Sequence, residues 1–326
     1  MLFYAGQRLL LFVPMALGMV VVTFSLMLLV PGDPAALLLG QDASASAIAE
    51  TRRNLGLDQP WWWRLGAYIG LLLQGDMGRS LFQNQPVAAL IASRLGATLE
   101  LALAALLVAI VLGLLLGVIA AANRGTSLDI GCMLVAQIGV SMPVFWLGIL
   151  MMLWFAVQLQ WFPAVGRETP LLEAAAAALS GRPQALLTAL SHLVLPAVTL
   201  GLNGAAIISR LVRASMLEVL GEDFVRTAYA KGLRRWRVLI FHALRNALLP
   251  IVSVIGLRFG ALLGGAVLTE AIFGWPGLGQ LTITAISQRD IPLVQGIVLT
   301  FAMMFATVNL AVDLLYAAID PRVRLQ

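Results

Sequence analysis

Along this 326-residue chain the apolar positions neither alternate nor form narrow stripes; they run together in blocks. Crossing a ~30 Å hydrocarbon core takes about 20 apolar residues as helix. Five charge-free blocks reach or approach that length: Leu9–Val30, Leu101–Ala122, Ile130–Val157, Leu193–Ser209 and Ile291–Val312. A sixth, Ala247–Thr269, is broken only by Arg258. The pattern predicts an all-α integral membrane protein with six transmembrane helices and both termini on one side.

Between the blocks the chain reads as follows. Pro31-Gly32-Asp33-Pro34 is expected to stop the first helix through fixed proline geometry and a turn. The segment after it is too polar to span. It holds a helical stretch at Ala47–Leu55 and an amphipathic one that opens on Trp61-Trp62-Trp63 and continues through Leu65, Tyr68, Ile69, Leu72 and Leu73. Adjacent tryptophans suit a membrane–water interface; an aromatic ligand platform is the alternative. A second polar segment, Gln158–Ser191, carries the helix-forming run Leu171–Leu179, closed by Ser180-Gly181-Arg182-Pro183. In a third, Glu270–Asp290, the Gly and Pro of Phe273–Gly279 exclude regular helix. Pro143 is expected to kink the third span. The organisation is therefore a first helix at 1–30, an outer segment at 31–93, a main transmembrane domain at 94–317 with an inner loop at 217–246, and a tail at 318–326.

Composition fits this picture, with 60% hydrophobic and 11% charged residues, outside the range of a soluble globular domain. Charge then orients it. With the N-terminus inside, the inner segments hold Arg8, Arg124, Arg210, Arg213, Arg226, Lys231, Arg234, Arg235, Arg237, Arg245, Arg322 and Arg324, against Asp129, Glu218, Glu222, Asp223 and Asp320. The outer segments carry no such excess, so the positive-inside rule gives N-in, C-in. The first block is too long for a signal-peptide core and reads as a retained helix. Cys132 is the only cysteine, which excludes an intrachain disulfide and reads as a packed thiol. His192 and His242 fall at opposite faces and cannot share a metal.

The most polar insert is the inner loop. Helical sequence continues past Ser209 to Leu220; a separate short helix then runs from Asp223, a candidate N-cap, to Lys231, with Gly232 as its stop. Phe224, Ala228 and Lys231 share a face at i, i+4 and i+7, as a helix docking into a partner's groove requires. The plainer reading is that the loop's charges only fix topology, and it is preferred for Arg210, Arg213, Arg322 and Arg324.

Arg226-Thr227-Ala228-x3-Gly232 resembles the EAA-x3-G signature of type I ABC importer permeases, with Arg and Thr in place of its first Glu and Ala. The expected Leu-Pro falls on Leu244-Arg245, and a Leu-Pro comes only at Leu249-Pro250. This spelling, with HALRNALLP after it, is similar to the dipeptide, oligopeptide and nickel permeases. The likeness extends through PGDP at Pro31–Pro34, LGLDQP at Leu55–Pro60, GDMGRS at Gly75–Ser80, SMPVFWLG at Ser141–Gly148, LLGGAVLTEAIFGWPGLG at Leu262–Gly279 and VDLLYAAIDPR at Val312–Arg322. It is nearest to the first permease subunit of dipeptide importers. The resemblance implies a type I permease fold paired with a second, similar permease subunit. It also implies two cytoplasmic ATPases, and a periplasmic or lipid-anchored substrate-binding protein. Asp223, Phe224, Arg226, Thr227, Ala228, Lys231, Gly232, Arg234 and Arg235 would then meet the ATPase. ATP-driven closure of the ATPases would rock the spans between inward-open and outward-open states.

Lys231 is the only lysine and follows Ala230, so the chain holds no G-x4-G-K-[S/T] phosphate loop. ATP and Mg are expected on partner subunits, with no cofactor here. Arg258 sits about 17 Å into the fifth span, where a charge needs a cavity or a partner. It is expected either to line the translocation path and favour a carboxylate or to pair with a neighbouring helix through Asp313. Glu270 is a candidate for the gate of the path or the binding-protein contact. Asp313 itself reads as an end-cap polar group. Nickel or other metal chelates, opines and glycans are alternative cargoes. An ion-coupled secondary transporter is the rival mechanism, but no mid-depth carboxylate supports it. The sequence has no HExxH, cysteine nucleophile or clustered histidines for an enzyme, and a nucleic-acid role for Arg234-Arg235-Trp236-Arg237 is not favoured.

Overall fold

A computed structural model describes the backbone of residues 2–29, 34–39, 44–54 and 56–319. Among these residues the regular structure is helical throughout, apart from one isolated bridge between Arg79 and Pro86. The helices are α1 (Leu2–Leu29), α2 (Pro34–Leu39), α3 (Ala45–Asn54), α4 (Trp61–Leu73), α5 (Val87–Ala122), α6 (Ser127–Ser141) and α7 (Val144–Met151). They continue as α8 (Leu171–Leu179), α9 (Pro183–Val219), α10 (Asp223–Ala230), α11 (Arg235–Arg237), α12 (Arg245–Ile272), α13 (Leu278–Gln288) and α14 (Ile291–Ile319). The turn expected at Pro31–Pro34 lies outside the described residues except for Pro34, which opens α2. Residues 320–326, with Arg322 and Arg324, also lie outside them.

Every apolar block is helical. Val87–Ala122, Pro183–Val219, Pro250–Ile272 and Ile291–Val312 are each long and apolar enough to cross a bilayer. Helix α1 runs for 28 residues, with its apolar stretch at Leu10–Ser25. The third block departs from a kinked span: α6 and α7 meet at 107°. Proline disfavours helical backbone at the residue before it. Met142 is accordingly extended (φ −89°, ψ 132°), Pro143 follows at ψ 133°, and two non-helical residues in succession turn the chain. Met152–Gln158, which run one residue past the end of the block, form π-helical turns.

The described chain divides into two compact units. The first unit comprises residues 1–96 and 281–310. What draws 281–310 into it is a buried carboxylate: Asp290 accepts hydrogen bonds from the Ser80 hydroxyl, from Leu81 N (3.2 Å) and from Leu293 N (3.3 Å). The last of these caps the start of α14.

The second unit, residues 97–280 and 311–326, is arranged along α9. Near one end Leu193, Ala197 and Leu200 pack with Ala97, Leu101, Ala105, Leu262 and Ala266; further along, Ile208, Val212 and Met216 pack with Ala109, Ala121, Ala243, Ala247 and Ile251. The alanines and glycines on α5 and α9 have a mechanical reason. A Cβ at Gly117 would come within 2.6 Å of Val212, and one at Gly201 within 2.6 Å of the Ala105 carbonyl oxygen. Lipid tails are as apolar as leucine, so helices in a bilayer associate by close packing of small residues. Along α5, Leu103, Leu107, Val111, Leu115 and Ile119 recur every fourth position and stay exposed, as a lipid-facing stripe does.

Gly117→Leu should lower the unfolding free energy by roughly 1–3 kcal/mol through overpacking. Leu107→Ile on the exposed stripe should leave it unchanged. Thermal unfolding in bicelles checks both.

Candidate coupling interface and a buried carboxylate anchor

Helix α10 begins where Val225 N and Arg226 N bond the Glu222 carbonyl (3.1 and 3.4 Å). The N-cap is therefore Glu222, one residue before the expected Asp223, and no side chain caps the helix. Asp223 instead makes an exposed ion pair with Arg226 (3.3 Å), while its carbonyl accepts the Thr227 hydroxyl. At the other end Lys231 is the C-cap and Gly232 adopts φ +77°, a conformation that favours glycine. The expected stop is thus in place.

The face expected to carry Phe224, Ala228 and Lys231 together is divided. Ala228 is buried with Val225 against Val238, Leu220 and Leu233. Two small aliphatic residues at i and i+3 make the stripe that seats the helix on its own chain. Phe224 (42% exposed) and Tyr229 (43%) fall about 70° to either side of that stripe at 100° per residue. Arg226, Thr227 and Lys231 occupy the exposed remainder. Tyr229 was not among the expected site residues. Its signal was its place as the second aromatic shoulder of the Val225–Ala228 stripe.

The return path adds aromatic surface that the charges conceal. Trp236 and Phe241 are exposed and meet edge to face at 6.0 Å, with the Arg237 guanidinium 5.5 Å above the indole. Arg235 is exposed yet donates to the Ala122 carbonyl at the end of α5, while Arg234 is exposed. Val238–Leu244 form π-helical turns leading into α12. Arg213, expected only to fix topology, makes a two-pronged pair with buried Asp129: Nε to Oδ1 and Nη2 to Oδ2, both 2.7 Å. Asp129 also accepts Gly125 N at 3.0 Å, so α9, α6 and the α5–α6 turn are held at one point. Arg210 reaches Gln137 on α6 at 3.5 Å.

Glu270, expected at the gate of the path or the binding-protein contact, has no exposed surface. Its Oε1 accepts the Thr98 hydroxyl (2.7 Å), and its Oε2 accepts Gly279 N (2.6 Å) and Gln280 N (3.2 Å). Thr98 in turn accepts Leu278 N at 2.8 Å. The carboxylate is an internal clamp that caps the first turn of α13, which opens at Leu278, inside the stretch expected to exclude helix, while the N–H groups of Phe273, Gly274, Trp275 and Gly277 bond backbone carbonyls. A Cβ at Gly277 would lie 2.4 Å from the carboxylate, which accounts for the small residue there. Beside it the buried Trp275 indole donates to the Ala97 carbonyl (2.8 Å), and Arg167, paired with Glu100, stands over its ring at 5.6 Å.

Arg258 lies on α12 eight residues beyond Pro250, partly exposed, and makes no hydrogen bond or ion pair with another described residue. The Asp313 side chain, its expected alternative partner, lies outside the described residues. His192 bonds the Thr188 carbonyl at 2.9 Å, and no group of three His, Cys, Asp or Glu suited to a metal occurs among the described residues.

Residues 113–325 match the family described as binding-protein-dependent transport system inner membrane component, and residues 1–102 match that family's N-terminal region. The chain belongs to this family. Among the permease's relatives, the dipeptide transport system permease protein of Alkalihalophilus pseudofirmus is 44% identical, with 99% of this chain and 100% of that protein covered. The di/tripeptide transport system permease protein of Pseudomonas aeruginosa is 45% identical with both chains covered completely. The glutathione transport system permease protein of Escherichia coli is 40% identical, with 99% of each covered. The fold matches the inward-facing MetNI methionine ABC transporter with a TM-score of 0.56 at 18% identity, covering 71% of this permease and 96% of that chain.

Glu270→Ala should strand two backbone N–H groups and the Thr98 hydroxyl, each worth roughly 1–3 kcal/mol when buried unpaired. The permease should lose thermal stability, with cleavage by limited proteolysis appearing at Phe273–Gly279.

Proposed function

We propose that this permease subunit forms the translocation path of an ATP-driven importer for dipeptides or short oligopeptides in a bacterial inner membrane. The observation that carries the reading is α10, a short exposed helix seated by Val225 and Ala228 with Phe224 and Tyr229 on its shoulders. The six helical blocks are read as six spans with both termini inside, which puts α10 and the basic return path in the cytoplasm. There they meet an ATPase subunit. Phe224 and Tyr229 supply apolar fit, and Arg226, Lys231 and Arg234 supply rim charge and steering. Gly232 ends the helix so that it fits a groove.

The remaining partners are a second, similar permease, a second ATPase and a periplasmic or lipid-anchored binding protein that delivers the cargo. ATP and Mg bind to the ATPases, because the permease has no phosphate loop. Closure of the ATPases moves the docked α10 helices. That motion reaches the spans through the Val225–Ala228–Val238 seat, the Arg235 bond to α5 and the Asp129–Arg213 pair. The peptide cargo is supported by the end-to-end similarity to dipeptide and di/tripeptide permeases. Arg258, a guanidinium within a span that pairs with no described residue, lines the path and favours a peptide carboxylate. Glu270 is assigned to the clamp rather than to the path.

Reconstitution of the whole importer in liposomes, with uptake of labelled dipeptide as the readout, tests the assignment. Phe224→Ala and Tyr229→Ala should each weaken ATPase association about tenfold, as loss of an interface anchor worth about 1.4 kcal/mol does. Ala228→Pro should abolish it while leaving membrane insertion intact. Association and uptake at wild-type levels in all three variants would overturn the coupling role.

Arg258→Gln should slow uptake of dipeptides with a free C-terminal carboxylate more than uptake of their C-terminal amides. Equal uptake of both by the variant and the wild type would overturn its place in the path.

A further inference from the structure

The first unit contains a cavity of about 260 Å³ that none of the transport roles uses. One water needs only about 10–15 Å³, so this space suits a molecular fragment. Phe24, Trp63, Leu71 and Leu81 are among the apolar residues of its wall. Two polar groups among its lining residues are unsatisfied. Gln295, 8% exposed, leaves its Nε2 without a hydrogen-bond partner among the described residues, and the Tyr68 hydroxyl is buried without one among them. Burial pushes the Tyr68 phenol up to about 12, so it keeps its proton and remains a donor. Buried polar groups of this kind are normally paired, and here the unpaired ones are a carboxamide N–H and a phenol O–H. Their missing partner is an acceptor oxygen on an otherwise apolar molecule.

The cation at the site narrows the choice. Arg64 also lines the cavity, with its guanidinium 5.9 Å from the Phe24 ring centroid and no ion pair to a described residue. Among the described residues no Asp or Glu lines the cavity, so a peptide's ammonium group would find no counter-charge among them. The surrounding surface is suited to lipid. Trp61, Trp62 and Trp63 on α4 are 55%, 62% and 59% exposed, and α1 exposes Leu10, Leu11, Val13 and Val22. We propose that the cavity is a phospholipid site, with ester oxygens accepting from Gln295 and Tyr68, the phosphate on Arg64, and an acyl segment along Phe24, Leu71 and Leu81. The site is independent of the peptide cargo and of the ATPase docking surface.

Native mass spectrometry of the assembled importer, extracted from the membrane in mild detergent, reads this directly. Wild type should retain one phospholipid per copy of this chain through successive detergent washes. Arg64→Gln and Gln295→Leu should each reduce that retention about tenfold, and Ala67→Trp, which fills the cavity, should abolish it. If the Ala67→Trp complex does not assemble, the near-isosteric Gln295→Leu decides. Equal lipid retention in wild type and Gln295→Leu, no retained lipid in wild type, or a retained peptide mass in place of a lipid would overturn the proposal.

Discussion

The second unit depends on how closely α5 and α9 approach. In a bilayer no hydrophobic force drives one apolar helix onto another, so packing and polar contacts must hold the pair. Gly117 against Val212 and Gly201 against the Ala105 carbonyl bring the backbones to a distance that any side chain would increase. Other features build on that crossing. The same 37-residue α9 carries Arg213 toward Asp129 and ends four residues before α10 begins. A displacement of α10 therefore acts on a helix whose neighbours have little slack.

Buried polar groups fix the places where apolar packing is indifferent. Glu270 gathers the Thr98 hydroxyl and two backbone N–H groups of the first turn of α13, so that helix can start inside the protein without orphaned donors. Asp129 does the same for the α5–α6 turn and takes both prongs of Arg213. In the first unit Asp290 joins Ser80 and Leu81 to the start of α14. Each carboxylate is committed to several donors, which gives a single geometry where leucine and alanine would permit sliding. Tyr68 and Gln295 contrast with these carboxylates, since their donors have no partner among the described residues.

Much of the fold was legible because block hydrophobicity is a strong signal. All six blocks are helical, and the boundaries Leu171–Leu179, Trp61 and Gly232 follow from proline, glycine and amphipathic spacing. The long-range part was not legible. Nothing near Glu270 in sequence announces Thr98, 172 positions away, so a carboxylate at the end of a span read as a gate residue. Arg213 read as a topological charge for the same reason, its partner lying 84 positions away. Pro143 was recognised as a disturbance, but a bend of 107° requires Met142 to be extended as well, and proline imposes that on its neighbour only as a preference.

In the proposed coupling role one short helix serves two surfaces, of which the seat on its own chain is observed. A helix that docks on a partner and transmits force must be held by its own chain, or it would rotate under load. Eight residues offer barely two turns for both tasks. The chain divides them by angle: Val225 and Ala228 face inward, Phe224 and Tyr229 take the shoulders, and Arg226 and Lys231 stay in water. This accounts for the alanine kept at the third position of the signature-like run while the first two positions vary. Ala228 is seated against Val238, where a larger side chain would lift the helix, whereas Arg226 and Thr227 face solvent and tolerate exchange. The motif is thus constrained on its buried side by the permease itself, while its exposed side is left to the proposed partner.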